Sequence, residues 1–117
     1  MVGSVEIVAQ RFELRAGDGA VLAANRFDAP DARAVVVIAP ALGVPQEFYR
    51  DFAAWLAQRG LSALTFDYRG IGASAPRSLR RFRATIDDWV RLDFEAAIGA
   101  ARARAGRLPL FLSLIHI

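Results

Sequence analysis

Cysteine and lysine are both missing from this 117-residue chain, and histidine occurs once, at His116. Without cysteine there is no disulfide framework and no thiolate metal site, which suits a reducing compartment, and a cytoplasmic location is expected. Without lysine, all 15 basic residues are arginine. Alanine is also abundant, so the bias reads as the codon usage of a GC-rich gene. A net charge of +3, for a pI of about 10.5, is a small surplus for an arginine surface that grips nucleic acid, and no nucleic-acid partner is expected. The opening Met-Val-Gly-Ser-Val-Glu-Ile-Val lacks the basic region and apolar stretch of a signal peptide. The longest apolar run, Ala34 to Val44, contains Pro40 and is about half the roughly 20 residues of a membrane helix, so no membrane partner is expected.

What is present suffices for one small domain: 55% of the residues are hydrophobic and 23% charged. The last six residues, Leu112-Ser113-Leu114-Ile115-His116-Ile117, contain no alanine, arginine or glycine, unlike everything before them. They are the in-frame translation of CTGTCTCTTATACACATC, the mosaic-end DNA of transposon-based sequencing libraries. Residues 1–111 are therefore expected to be the N-terminal part of a single domain, and residues 112–117 an adapter scar. Setting His116 aside leaves no histidine to act as general base for a serine.

Val5 to Arg15 and Val21 to Phe27 read as two strands joined at Ala16-Gly17-Asp18-Gly19, where Asp-Gly supplies the positive φ of a tight hairpin. The β-branched run Ala34 to Ala39 predicts a strand covered on both faces, as in a parallel sheet. From Gln46 to Arg59 the pattern turns helical, with Phe48, Phe52, Trp55 and Leu56 on one stripe and Gly60 at the C-cap. Leu61 to Phe66 predicts another buried strand. Thr85-Ile86-Asp87-Asp88 resembles a capping box, opening a largely buried helix that runs to about Ala105 and ends at Gly106. Its expected stripes are Trp89, Leu92, Ala96 and Ala100, and Phe94, Ile98 and Ala101. Leu108 to Phe111 opens a third parallel strand. The order is a hairpin followed by β-α-β-α-β, which implies a mostly parallel α/β sheet with right-handed crossovers.

Two loops carry a resemblance. The first is Pro40-Ala41-Leu42-Gly43-Val44, after the strand ending at Ala39. The second is Asp67-Tyr68-Arg69-Gly70-Ile71-Gly72-Ala73-Ser74, similar to an Asp-x-Arg-Gly-x-Gly-x-Ser loop. With Phe48-Tyr49-Arg50-Asp51-Phe52-Ala53 between them, they resemble the α/β-hydrolase superfamily. The likeness is to a bacterial subgroup near the serine aminopeptidase and lysophospholipase branches, and it covers about Phe12 to Phe111. It implies a truncated α/β-hydrolase fold and a nucleophilic serine that cleaves esters, amides or thioesters of a small-molecule substrate, with no cofactor and no metal. Serine, acid and histidine would follow in that order beyond Phe111, so no catalytic residue is expected within this stretch. The resemblance places the oxyanion loop at Pro40-Ala41, where the family usually has His-Gly. Leu42 is the first candidate to donate its backbone N–H to the developing oxyanion, and Ala41 the second.

Gly70 and Gly72 invite a dinucleotide-loop reading, but a third glycine and an immediate helix are lacking, so they are taken as turn residues, with Ser74 in the same structural loop. Asp67 is expected to be structural, pairing with Arg69 or accepting loop N–H bonds. Arg77, Arg80, Arg81 and Arg83 form a basic cluster, by default a solvated face. Ser113 lacks flanking glycines and is not a nucleophile. The alternatives are a non-catalytic binding module of the same fold, or a dehalogenase, peroxidase or acyltransferase, told apart by the residue at the missing elbow. The sequence is silent on oligomeric state.

Overall fold

The computed structural model describes residues 6–41, 44–69 and 89–114. Strands β1 (Ala9–Arg15) and β2 (Val21–Phe27) form the antiparallel hairpin, with Leu14 opposite Leu22. Its turn closes through Gly19, whose φ of +90° is costly for any residue with a Cβ. Strand β3 (Ala34–Ala39) leads through a 3₁₀ turn (Gln46–Tyr49) into helix α1 (Arg50–Gln58). Strand β4 (Leu61–Phe66) follows, then a π-helical segment (Trp89–Phe94) continuous with helix α2 (Glu95–Ala105), and finally β5 (Leu110–Leu114).

The sheet order is β1-β2-β4-β3-β5. β2 meets β4 antiparallel, whereas β3 pairs in parallel with β4 on one side and β5 on the other. The sheet is thus mixed, with the parallel half supplied by the β-α-β-α-β run. β3 is buried along its whole length because both faces are covered. Val35 and Val37 join Leu14, Leu22, Leu64 and Phe66 beneath α2, while Val36 and Ile38 join Phe27, Tyr49, Leu56 and Ala63 beneath α1. Each such aliphatic side chain contributes about 1.5–3 kcal/mol when fully buried.

The two helices meet the sheet differently from the apolar stripes read in the sequence. On α1 the residues facing the sheet are Ala53, Leu56 and Ala57, with Tyr49 from the preceding turn. Phe48 is 68% exposed, Phe52 40% and Trp55 48%. Small side chains let the helix approach the sheet closely, and the adjacent aromatic stripe is displaced outward. There Phe52 stacks on Trp55 and the Arg59 guanidinium lies 3.9 Å over the Trp55 ring. On α2 the buried line is Asp93, Ala97, Ala101 and Ala105, an unbroken four-residue spacing, while Leu92, Phe94, Ala96, Ile98 and Ala100 are half-buried flanks. Helix α1 ends at Gly60, whose φ of +86° brings its carbonyl oxygen to the Arg33 N–H at 2.8 Å. β5 pairs with β3 through Leu112 and Ser113 without a break after Phe111.

Candidate functional site

In a parallel sheet the strand-to-helix loops gather at the C-terminal ends of the strands, where open α/β sheets hold their ligands. Here Ile38 of β3 lies beside Thr65 of β4, so the loop after β3 adjoins Asp67 at the end of β4. One side chain ties the two together. Gln46 is buried, and its backbone N–H donates to Asp67 Oδ1 at 2.6 Å. Its Nε2 donates to Asp67 Oδ2 at 2.9 Å and to the Ala23 carbonyl at 3.1 Å. Its Oε1 accepts from Thr65 Oγ1 at 2.8 Å and from Asn25 Nδ2 at 3.1 Å. Both amide hydrogens and both lone pairs of Gln46 are therefore used, as a buried amide requires. The Asp67 N–H donates to the same Ala23 carbonyl at 2.9 Å, which locks β4 to β2 where their ladder ends.

The start of the loop is held separately. The Ala41 N–H donates to Tyr49 Oη at 3.0 Å, and the Val44 N–H returns to the Ala41 carbonyl at 3.0 Å. Ala41, the second oxyanion candidate, has its N–H engaged by this phenol. Leu42 lies outside the described residues, as do Gly70, Gly72, Ser74, Arg77, Arg80, Arg81, Arg83, the Thr85 to Asp88 capping box and His116. Ser113 lies within β5, beside Ile38.

Arg69 forms a second cluster on the α2 side. Its Nε and Nη2 donate to Asp93 Oδ1 at 2.9 and 2.7 Å, and its backbone N–H donates to Asp93 Oδ2 at 2.8 Å. Its Nη1 and Nη2 meet the two oxygens of Asp18, in the hairpin turn, at 2.6 and 3.0 Å. The guanidinium thereby clamps the hairpin turn to the π-helical segment. The hydrogen bonds that Arg69 donates to Asp18 and then to Asp93 raise its pKa further above its already high value, so it stays charged. The Arg69 hydrogen bond, followed by the Ala20 N–H, lowers the Asp18 carboxyl from 3.8 to about 2. Burial, reinforced by the Asp93 carboxylate, raises the Tyr68 phenol above its ordinary 10.0. Asp93 is fully buried, and the π-helical turn that carries it widens the helix where the carboxylate must face Arg69.

The structure thus gives Asp67 the N–H-accepting role and makes Arg69 the centre of an ion-pair cluster. Sequence reasoning missed Gln46, Asn25, Tyr49, Asp18 and Asp93. Only Asp93 carries a visible signal, as an acid in register with Ala97, Ala101 and Ala105. Among the described residues, no group of three His, Cys, Asp or Glu side chains could hold a metal ion, and no helix is long and apolar enough to cross a membrane.

Comparison with known proteins accords with this geometry. An α/β hydrolase from Penicillium sp. sh18 superposes with a TM-score of 0.74 at 21% identity, covering 92% of this chain and 37% of that one. An α/β serine hydrolase without a lid, from Xanthomonas campestris, gives 0.69 at 17% identity, with coverages of 97% and 53%. A thermostable carboxyl esterase from Bacillus coagulans, in complex with glycerol, gives 0.75 at 15%, with coverages of 92% and 36%. At these identities the likeness establishes the α/β-hydrolase fold, and the chain spans between about a third and about half of the length of these structures. A search of curated proteins gives no match. The family model described as "Serine aminopeptidase, S33" matches residues 30–113, from the turn before β3 into β5, and the chain belongs to that family of α/β hydrolases.

Proposed function

We propose that this chain forms the first part of a serine hydrolase acting on an ester, amide or thioester, and that its loop after β3 supplies one of two oxyanion donors. The observation that carries the reading is the Gln46–Asp67 cross-link together with the Tyr49–Ala41 hydrogen bond. Between them they fix both ends of a loop at the C-terminal edge of β3, where the carbonyl oxygen of a bound acyl group would be received. An oxyanion hole needs donors set in place before the charge develops, and a backbone N–H meets that need whatever side chains surround it. With the Ala41 N–H engaged by Tyr49, the role falls to Leu42, one residue further into the loop.

The nucleophilic serine, the acid and the histidine are proposed to follow Phe111 in the longer protein, with the serine on a glycine-flanked turn after β5. In the full-length protein, Leu42→Pro removes the N–H and should lower kcat on an activated ester by about 10²–10³ with KM little changed. An unchanged kcat would reject the assignment. The 117-residue chain alone should hydrolyse p-nitrophenyl butyrate no faster than a heat-killed control, because removing a whole triad costs on the order of 10⁶ in turnover.

A further inference from the structure

At the opposite end of the sheet lies a cleft of about 390 Å³. It sits between α2 and the sheet, at the N-terminal ends of β3 and β4, where Val35 and Ser62 are each the second residue of their strand. It is therefore separate from the loops described above. It exists because α2 presents alanines to the sheet: the line through Ala97, Ala101 and Ala105 packs closely, and Ala100 and Ala103 leave the flank unfilled. Phe12, Val35, Ala63 and Leu64 supply further apolar lining. Among the described residues, the Ser62 hydroxyl is the one hydroxyl in the lining, and it accepts the Ala29 N–H at 2.9 Å. Two arginines also line the cleft. Arg26 Nε and Arg104 Nη2 both donate to Asp28 Oδ2, at 3.0 and 2.8 Å. Arg26 also donates to Gln10 Oε1.

Two guanidiniums thus share one carboxylate oxygen, leaving a local surplus of positive charge. Each guanidinium carries five N–H donors. Arg104 makes no other hydrogen bond among the described residues, so donors remain for a second anion. The volume is that of a small-molecule site, typically about 300–1,000 Å³. We propose that the cleft binds a small amphiphilic carboxylate, its hydrocarbon chain against Phe12, Val35, Leu64 and Ala100 and its carboxylate on Arg26 and Arg104. Methylenes buried against the apolar lining supply affinity, and the charge-assisted hydrogen bonds select the anion. Asp28 competes for the same donors and sets how tightly the anion is held.

Octanoate titrated into the chain, followed by methyl and aromatic NMR, tests this. Saturable shifts are expected at Ala100, Ala103 and Phe12, with octanol and acetate each at least about tenfold weaker. Arg104→Gln should weaken octanoate about tenfold, and Asp28→Asn should tighten it about threefold by freeing the shared donors. Ala103→Leu, a good helix former placed in the cleft, should abolish binding without lowering Tm, and it serves if the Asp28 variant does not fold. Octanol binding as tightly as octanoate would overturn the proposal. So would affinity indifferent to Arg104→Gln and Ala103→Leu, or shifts confined to Phe52 and Trp55.

Discussion

The end of β4 is gripped from both faces of the sheet, and the two grips use different chemistry. On the α1 side, the neutral amide of Gln46 donates to Asp67 and accepts from Thr65 and Asn25. On the α2 side, the Arg69 guanidinium bridges buried Asp93 and half-exposed Asp18. A neutral amide holds its partners with little dependence on salt, whereas the Arg69–Asp18 pair is open to screening and titration. The difference suits position: the amide secures the loop beside the proposed reaction centre, and the ion pairs secure the hairpin and helix that frame it.

Breaking the charged side should produce the largest effect. Asp93→Ala leaves the Arg69 guanidinium with its buried partner gone, and chemical denaturation should show a loss of about 3–5 kcal/mol. If the loss were below about 1 kcal/mol, the charged grip would be the weaker of the two. Gln46→Ala should be milder, about 1–3 kcal/mol, the cost of leaving buried hydrogen-bonding groups unsatisfied. That loss should be nearly independent of salt, which a denaturation series at low and high ionic strength would check.

The smallest effect sharpens the contrast through pH. The folded-state carboxyl of Asp18 sits at about 2, below its ordinary 3.8. Its stabilisation is therefore fully present above about pH 4 and is lost as the pH falls through about 2. Thermal melts across that window should show a slope that Asp18→Asn flattens and Gln46→Ala leaves in place.

Much of the framework is legible in the amino-acid order. β2, β3 and β4 can be placed residue by residue, because a β-branched run such as Ala34 to Ala39 suits a strand covered on both faces, and breakers flank it. The inward face of α1 cannot be read in the same way. Periodicity marks two neighbouring stripes there, and it is the short distance to the sheet that selects Ala53 and Ala57 over Phe52 and Trp55. Asp67 and Arg69 are legible through their loop motif, though their partners Gln46, Asp18 and Asp93 are not. Gln46 is not legible. Its partners Asn25, Thr65 and Asp67 lie about twenty residues away in either direction, so no local pattern announces it. Asp93 is obscured because an acid on a helix surface faces water by default, and only its register with three buried alanines argues otherwise.

The alanine line on α2 carries a consequence for the far end of the molecule. Methyl groups set the standoff between this helix and the sheet, and Arg104 rides on the same rigid rod, one position before Ala105. The aperture over which Arg104 reaches Asp28 is thus gauged by Ala97 and Ala101, which do not line the cleft. A bulkier side chain at either would act as a spacer, widening a gap it never touches.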